Sequence, residues 1–498
     1  MDIVIVGGGT AGWMAAAAFA SLLPSRCRVT LVESDEIGTV GVGEATLPQM
    51  KSFNDAIGID EAEMMRRTNA TFKLGIEFVD WGFKGSSYIH PFGVHGRPGA
   101  GNDFHHQWLR AVENGRAYDI QDFSYAVVAS RNERFAFPNP DPRALDATYS
   151  YAYHFDASQY AAYLREFAEA RGVTRVEGRI DEVVVEGESG RVEAVRLASG
   201  SLVSGDFFID CSGFRSLILG QELGAGWEDW SGWLPCDRAF AMPSAREGDP
   251  TPYTRSTALE AGWQWRIPLQ HRTGNGYVFS SAFIGEDEAA ARLAGNLDGR
   301  ALGEPRLLRF QAGRRTKSWR RNCVALGLAS GFLEPLESTS IYLIQMGIMH
   351  LIPLLPVGGP DPRLEDEFNR RMDVEYERIR DFLILHYHAT RRDDSELWRY
   401  CAAMAVPDSL REKIAMFEHC GHIQQFKDGL FTPPSWISVC IGQGLRPAHY
   451  HRVAETVPLD RHLEDLDALR DEIADQVSAM PKHGAFVSMY CPAEMADA

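Results

Sequence analysis

Lys73 is the first residue whose type and setting allow it to do chemistry. In residues 69–78, apolar positions alternate with Lys73, Gly75 and Glu77, the pattern of a strand with two different faces. Because lysine is rarely buried, this periodicity favours a solvated Lys73 beside Glu77. The alternative is a lysine that faces a cavity and whose pKa is tuned by burial.

Glu337 is the second such residue. It lies one step before a charge-free stretch, residues 338–360. We predict that this stretch is a buried helix that breaks near Pro353, with Ser338 or Thr339 as its N-cap, rather than a membrane span. Glu337 is then either an acid that stabilises the helix dipole, or a base beside free N–H groups that can hold an anion such as a halide.

Two further patterns carry less information alone. Trp263 and Trp265 place two indoles on one face of a predicted strand that ends at Pro268, and most such pairs are core packing. The histidines His386 and His388 lack the spacing of a recognised zinc site. We therefore expect no metal site, and the sequence contains neither a nucleophile elbow nor a P-loop.

A βαβ unit at the start of the chain is predicted to bind a dinucleotide. An apolar run, residues 3–6, leads into the glycines Gly7, Gly9 and Gly12, a helix over residues 13–23 and a second strand that ends at Glu33. The glycines allow a tight turn, close approach of a pyrophosphate and close helix packing. The acid at Glu33 suits a free ribose, which favours FAD or NAD over NADP.

A second turn bears on which dinucleotide binds. Asp210-Cys211-Ser212-Gly213 follows an apolar strand and resembles the D-x-x-G turn of many FAD enzymes. An ordinary exit from a strand explains the same residues equally well.

Composition limits the class of protein. The chain has 498 residues and a net charge of −18, which argues against a general nucleic-acid-binding protein. Its N-terminus reads as a strand rather than a signal peptide, and its eight cysteines form no C-x-x-C pair. We expect reduced thiols and a cytoplasmic location.

The remaining chain alternates strands and helices. We predict a strand over residues 71–81, loops and short helices over 90–139, a helix over 160–171 and three short strands over 175–208. Buried strands follow up to residue 329, and the chain beyond Glu337 is predicted to be mainly helical.

Together these segments resemble the flavin-dependent tryptophan halogenases over roughly residues 3–447. Of the matching motifs, W-x-W-x-I-P is the most specific, because in that family it separates halogenases from flavin monooxygenases. The motifs are Gly7 to Ala15, Gly41-Val42-Gly43-Glu44-Ala45-Thr46, Asn69 to Lys73, Tyr153 to Ala157, Asp210 to Phe214, Trp263 to Pro268 and Glu334 to Thr339.

The resemblance implies an α/β fold: an FAD-binding Rossmann-like domain of the flavin monooxygenase type with an interleaved, mainly helical substrate module. We expect the discontinuous FAD domain at residues 1–85, 150–230 and 253–345, and the helical module at 86–149 and 346–498. The residues that the resemblance assigns to FAD are Gly7, Gly9, Thr10, Ala11, Gly12, Glu33, the strap Gly41, Val42, Gly43, Glu44, Ala45 and Thr46, and Asp210, Gly213 and Ile341.

The resemblance also implies a reaction. Reduced FAD from a separate NAD(P)H-dependent reductase, reaching the enzyme by diffusion of FADH2, would let O2 oxidise chloride or bromide to hypohalous acid. The halide would lie at the backbone of Thr339 and Ser340. Lys73 would hydrogen-bond the oxidant or become a haloamine, and Glu337 would stabilise or deprotonate the arenium ion.

Two departures from the family pattern concern the halide site and the arene. Ser340 stands where the family usually has glycine, and residues 421–436 are too short to hold the lid that clamps free tryptophan. We therefore expect indole or another small electron-rich arene. The expected barrier and walls are Trp263, Trp265, Ser338, His90, Pro91, Phe92 and Trp436. The alternatives are a flavin monooxygenase that hydroxylates an arene and a flavin-binding partner protein without activity.

Overall fold

The computed structural model describes residues 1–36, 43–97, 104–356, 359, 361–426 and 429–493. Gly41 and Val42 of the expected strap lie outside the described residues.

The strands, numbered in chain order, are β1 Asp2–Val6, β2 Arg28–Glu33, β3 Gly43–Ala45, β4 Thr71–Lys73, β5 Gly75–Val79, β6 Ser87–Pro91, β7 Ala152–Asp156, β8 Thr174–Glu177, β9 Ile180–Val185, β10 Val192–Leu197, β11 Leu202–Ser204, β12 Phe207–Asp210, β13 Trp227–Asp229, β14 Arg238–Ser244, β15 Thr254–Leu259, β16 Gly262–Pro268, β17 Thr273–Phe279, β18 Arg306–Arg309, β19 Gly313–Arg315, β20 Trp319–Arg320, β21 Cys323–Ala325 and β22 Gly331–Phe332.

The α-helices are α1 Thr10–Leu22, α2 Gln49–Ile57, α3 Glu61–Arg67, α4 Phe104–Glu113, α5 Tyr125–Arg131, α6 Ala157–Glu169, α7 Glu286–Gly295, α8 Thr339–Leu351, α9 Pro362–His388, α10 Glu396–Ala403, α11 Asp408–Cys420, α12 Pro433–Gly442, α13 Leu459–Ser478 and α14 His483–Tyr490.

A mostly parallel sheet forms the predicted nucleotide-binding unit. Its strand order is β20-β21-β12-β1-β2-β8, and β1 pairs in parallel with β2 and β12. The side chains of β1 from residue 3 to residue 6 are buried, as expected for a strand covered on both faces. Helix α1 begins directly after the glycine turn, so the predicted strand–turn–helix–strand order is confirmed.

A larger, mostly antiparallel sheet lies beside it, in the order β18-β14-β17-β16-β15-β5-β6. Strand β16 carries Trp263 and Trp265 in its interior, between β15 and β17. Both indoles are buried, as the packing interpretation predicts.

A three-stranded sheet, β3-β7-β4, connects distant parts of the chain. Strand β7 pairs antiparallel with both neighbours: Glu44 lies opposite Phe155, and Lys73 lies opposite Ala152. The end of the expected strap and the lysine are thereby held on either side of one strand.

Helices dominate the chain after residue 337, as predicted. Helix α8 ends at Leu351 and a single 3₁₀ turn, Ile352–Leu354, follows it, so the break near Pro353 is confirmed. Within the described residues, no helix has both the length and the apolarity needed to cross a membrane.

One strand count was wrong. Residues 174–204 form four strands, β8 to β11, where the pattern predicted three over residues 175–208; the apolar strand predicted before Cys211 is confirmed as β12. Gly178, with φ of 155°, ends β8 before β9 begins, and glycine is the residue that tolerates this conformation.

Candidate active site

Lys73 is fully buried, at 0% exposure, so the solvated-lysine interpretation is wrong. The cause is a break in the strand expected over residues 71–81. Lys73 ends β4 in the three-stranded sheet, whereas Glu77 belongs to β5 in the large sheet and pairs with Arg255 at 2.8 Å. A change of sheet at Leu74 removes the shared solvent face that alternation implies.

The amine of Lys73 is held by two oxygen atoms. Nζ donates hydrogen bonds to Ser338 Oγ at 2.9 Å and to the carbonyl of Thr46 at 3.0 Å. The ring centroid of Phe92 lies 4.9 Å from Nζ. The two bonds leave one further tetrahedral position on the nitrogen for a proton or a lone pair.

Burial shifts the pKa of Lys73 and of its neighbour Glu44. Loss of hydration lowers the pKa of Lys73 to about 7, although the charges of Glu337 and Glu44 act in the opposite direction. Burial likewise raises the pKa of Glu44 to about 7, opposed by Lys73. Both groups therefore change charge near neutral pH.

Glu337 is clamped between two histidines. His90 Nδ1 lies 3.0 and 2.9 Å from its two carboxylate oxygens, and His386 Nε2 lies 2.8 Å from Oε1. All three side chains are buried. These direct contacts leave no room for a metal ion between the groups, because a bridging zinc would need bonds of about 2.0–2.2 Å on each side.

Hydrogen bonding to the backbone specifies which nitrogen of His386 carries a proton. His386 Nδ1 lies 2.8 Å from the carbonyl of Phe382, and a carbonyl can only accept, so Nδ1 carries a proton. Nε2 lies within ion-pair distance of Glu337 Oε1, so the contact is an ion pair when Nε2 also carries a proton. Although burial opposes it, the histidines, His90 first, lower the pKa of Glu337 to about 2.

The start of α8 has unusual capping. Ser338 is the N-cap, in the left-handed conformation with φ of 59° and ψ of 36°, and its side chain caps no backbone N–H. Its hydroxyl instead accepts from Lys73. Thr339 Oγ1 is buried and has no hydrogen-bond partner among the described residues. The first N–H groups of the helix, which include Ser340 and Ile341, have no partner within the helix.

A cavity of about 470 Å³, the inner cavity, adjoins these residues. His90, Pro91 and Phe92 line it, as expected for pocket walls, and so does Phe431, which the sequence did not single out. Lys73 and Glu337 are not among the described lining residues, but they contact two that are, Phe92 and His90 respectively. Phe431 packs on Phe382, with ring centroids 3.8 Å apart.

Trp436 differs from the expected wall. Its neighbours Pro434 and Ser435 line the inner cavity, but Trp436 is not among the described lining residues. Its ring packs against Phe382 at 4.9 Å and against the amine of Lys413 at 3.7 Å. Trp436 therefore packs on Phe382, the same ring that contacts the lining residue Phe431.

The residues of the glycine turn fit a dinucleotide. Gly7 has φ of 108°, and a Cβ there would lie 2.3 Å from the carbonyl of Cys211; a Cβ on Gly12 would lie 1.8 Å from the carbonyl of Gly7. A Cβ on Gly9, by contrast, would meet no protein atom within 4 Å, so open space lies at the N-terminus of α1, where a pyrophosphate binds.

Two acids of the expected FAD site already have partners. Glu33 is paired with Arg175. Asp210 is buried, and its carboxylate accepts from the backbone N–H groups of Ser212, Ile218 and Leu219. Asp210 therefore fixes the turn that contains Gly213, and its contact with FAD stays a prediction.

A buried carboxyl that the sequence did not reveal links the indole pair to α9. Glu334 Oε2 accepts from Trp263 Nε1 at 2.7 Å and from the hydroxyl of Tyr387 at 2.6 Å. Burial raises the pKa of Glu334 to about 7. Trp265 lies beside Trp263, with ring centroids 6.1 Å apart.

The free edge of β4 is closed by the C-terminal helix. His483 Nδ1 donates to the carbonyl of Pro250 at 2.7 Å, so Nε2 accepts the backbone N–H of Phe72 at 3.2 Å. Burial lowers the pKa of His483 to about 4, which keeps the ring neutral and able to accept. Helix α14 thus fixes the strand that carries Lys73.

Comparison with known proteins assigns the family. The tryptophan halogenase family model matches residues 2–459. Tryptophan 6-halogenase SttH from Streptomyces toxytricini is 35% identical over 510 residues, 96% of each chain. Two solved structures match 99% of both chains: Xcc4156, a flavin-dependent halogenase from Xanthomonas campestris, at 47% identity and a TM-score of 0.96, and BrvH, a flavin-dependent halogenase from Brevundimonas sp. BAL3, at 44% and 0.95.

Proposed function

This chain belongs to the tryptophan halogenase family and is a flavin-dependent halogenase, and we propose that it halogenates an indole or another small electron-rich arene through Lys73 and Glu337. The observation that carries the proposal is the contact of Lys73 with Ser338, which brings the amine next to Glu337 from a strand 265 positions away. The family implies FAD as the cofactor and a flavin reductase as its source of electrons.

The glycine turn and strand β3 are the proposed FAD site. When reduced FAD is bound, it supplies the electrons with which O2 converts a halide to hypohalous acid. Gly7, Gly9, Thr10, Ala11 and Gly12 would hold the pyrophosphate, because a helix N-terminus stabilises negative charge. Glu33 would bind the ribose, and Gly43, Glu44, Ala45, Thr46 and Ile341 would lie along the flavin.

The start of α8 is the proposed halide site. The backbone N–H groups of Thr339 and Ser340 have no intrahelical partner, and the buried hydroxyl of Thr339 has no partner in the part of the chain that the structure describes. Both kinds of donor suit a bare anion that has lost its water. The hydroxyl of the N-cap residue Ser338 could otherwise accept from these N–H groups, but it already accepts a hydrogen bond from Lys73.

Lys73 is the proposed halogen donor. With a pKa of about 7, much of it is the neutral amine at neutral pH, and a neutral amine is nucleophilic. Its attack on hypohalous acid forms an N–X bond, breaks the X–O bond and releases water. The ring carbon then bonds the halogen, and the electron pair of the N–X bond returns to nitrogen. The nitrogen takes up one proton in this step, which regenerates the amine.

Glu337 is the proposed base. Ring halogenation creates a cationic arenium ion, and a fixed carboxylate stabilises such a charge better than mobile water. The carboxylate then accepts the ring proton, which balances the proton taken up by the haloamine. The net reaction is HOX + ArH → ArX + H2O.

The barrier and walls would keep these steps in order. Trp263 and Trp265 are proposed to keep the arene away from the flavin, so that only the small oxidant reaches Lys73. His90, Pro91 and Phe92 are proposed to orient the arene, while Ser338 holds the amine. Positioning of both reactants accounts for a defined product.

The test is a halogenation assay. Purified protein is incubated with FAD, a flavin reductase, NADH, O2, indole and either bromide or chloride, and products are analysed by mass spectrometry. We expect a mono-halogenated indole with the isotope pattern of the halide supplied, and none from Lys73→Ala.

The control is Lys51→Ala, because Lys51 pairs with Asp55 on the surface of α2 and should leave turnover unchanged. FAD binding to Lys73→Ala, followed by fluorescence, should match that of the wild type. An oxygenated product that forms without halide, or a Lys73→Ala variant that still halogenates, would refute the proposal.

A further inference from the structure

A second, larger cavity borders the inner cavity. This outer cavity has a volume of about 1160 Å³, and it shares Pro142 and Tyr149 with the wall of the inner cavity. Pockets for drug-sized ligands span about 300–1,000 Å³. The inner cavity is therefore already sufficient for a bicyclic arene, and the outer cavity is space that a small arene does not use.

The inner cavity offers no partner for the charges of a free amino acid. Among the described residues that line it, His90 is the only one whose side chain can carry a charge near neutral pH, and its Nδ1 is engaged by Glu337. The other polar lining groups are neutral: Gln49, Thr148, Ser150, Thr432 and Ser435, with the hydroxyl of Tyr149. Unpaired charges are costly to desolvate, whereas neutral amides and hydroxyls hydrogen-bond a peptide backbone.

The outer cavity has the mixed character of a peptide-binding surface. Phe137 lines it and is 38% exposed. Tyr149 is stacked on Tyr125 with ring centroids 5.3 Å apart, and its hydroxyl donates to the carbonyl of Ala136. Rigid aromatic walls of this kind bind varied apolar side chains at a low entropic cost.

The charged side chains among the described lining residues of the outer cavity balance, since Arg97 and Arg143 stand against Asp146 and Glu472. Arg97 bonds Glu472 at 2.7 Å, and Arg143 bonds Asp141 at 2.9 Å. The cavity therefore presents no excess of either sign, and it does not select a strongly anionic or cationic tail. A neutral chain with apolar side chains and amide groups matches it.

We propose that the substrate is a tryptophan residue within a peptide, whose indole enters the inner cavity while the flanking residues lie in the outer cavity beyond Tyr149. The inference rests on the proposed function, because Lys73 must reach the indole. Linkage through two amide bonds removes the ammonium and carboxylate charges that the inner cavity cannot pair.

The test compares substrates of increasing length in the same assay. Indole, free tryptophan, N-acetyltryptophan amide and a capped pentapeptide with a central tryptophan are each brominated, and kcat/KM is determined by mass spectrometry. We expect the pentapeptide to exceed both free tryptophan and the capped single residue by about tenfold or more, equivalent to one good anchor contact.

A cavity-filling variant localises the effect. Ala479 lines the outer cavity and is exposed, so Ala479→Trp should lower kcat/KM for the pentapeptide by about tenfold and leave that for indole unchanged. Ala474→Trp is the matched control, since Ala474 is exposed on α13, the helix that ends next to Ala479, and does not line the cavity. Titration calorimetry with the pentapeptide gives a second readout that needs no turnover.

The outcomes separate the two proposals. If indole is halogenated but kcat/KM for the pentapeptide does not exceed that for free tryptophan, only the peptide inference is overturned. The peptide inference also fails if Ala479→Trp leaves kcat/KM for the pentapeptide unchanged, or if the variant lowers kcat/KM for indole by the same factor. Absence of any halogenated product overturns the proposed function, and the peptide inference with it.

Discussion

His386 Nε2 lies 2.8 Å from Glu337 Oε1, while the other nitrogen of the same ring faces a backbone carbonyl at 2.8 Å. With a proton on each nitrogen, the ring donates to the carbonyl and forms an ion pair with the carboxylate. A carboxylate and an imidazole from different elements of the chain therefore meet in a buried site, where the histidines, His90 first, lower the pKa of Glu337.

Replacement of His386 by glutamine should narrow the working pH range of the enzyme. An opposite charge within about 4–6 Å lowers a carboxyl pKa by about 1–3, so its loss should raise the pKa of Glu337 by a similar amount. In the proposed mechanism Glu337 accepts the ring proton only when it is ionised, so activity should fall at acidic pH and persist at alkaline pH.

The measurement is kcat/KM for indole between about pH 4 and pH 9. The groups that face Glu337 from neighbouring strands are His90 and Lys73, and both remain in the variant. His388→Gln on the same helix is the control, because His388 Nδ1 contacts only the carbonyl of Cys401. An acid limb that does not move would show that His386 does not set the charge of Glu337.

Ser338 should respond differently to glycine and to alanine. Its left-handed backbone costs about 1–2 kcal/mol in a residue with a Cβ, so Ser338→Gly should unfold at a higher temperature than Ser338→Ala. Both variants lose the acceptor for Lys73 Nζ, and both should lose about tenfold in kcat, the equivalent of one hydrogen bond. Wild-type kcat in the glycine variant would show that Oγ is not needed.

Lys73→Met should change how stability depends on pH. The pKa of Lys73 is about 7 in the folded protein against an ordinary 10.5, so between these values the unfolded chain binds more protons than the folded one. The stability of the wild type relative to the variant should therefore rise with pH across that window, by on the order of a few kcal/mol.

Thermal unfolding of both proteins at a series of pH values measures this difference. Lys51→Met provides the comparison for an exposed lysine in an ion pair, and its unfolding temperature should run parallel to that of the wild type. A difference between wild type and Lys73→Met that stays constant with pH would mean that Lys73 keeps its ordinary pKa.

Two glycine variants should separate cofactor binding from folding. Gly9 has an ordinary φ of −75° and open space around its Cβ position, so Gly9→Ala should fold normally but bind FAD about tenfold more weakly or worse, because the methyl group occupies the proposed phosphate space. Gly12→Ala should lower the unfolding temperature of the apoprotein. Unchanged FAD affinity in Gly9→Ala, by fluorescence titration, would refute this site.

Local patterns predicted the nucleotide-binding unit because its signals are local: an apolar run, a glycine turn and a helix follow one another within residues 2–33. The start of α8 was predictable for the same reason. The periodicity of residues 69–78 predicted the wrong environment for Lys73, an exposed one, because β4 and β5 belong to different sheets. Alternation of residue types carries no information about a change of sheet.

No local sequence pattern predicts that His90 and His386 contact Glu337. His386 sits in an ordinary amphipathic helix, and only the packing of α9 against the start of α8 gives it a role. The same holds for Glu334, whose partners come from β16 and α9. The division into an FAD domain and a helical module, and the length of the lid after α11, stay predictions.

The contact between Phe72 and His483 spans 411 positions, and it has a consequence for biosynthesis. At about 5–20 residues per second, a ribosome needs roughly 20–80 s to make the chain between them. Throughout that interval the nascent lysine strand has an open edge. Strand β4, which carries Lys73, is therefore held at this edge only after residue 483 has been translated, and a polypeptide arrested earlier leaves the lysine in an unfinished site.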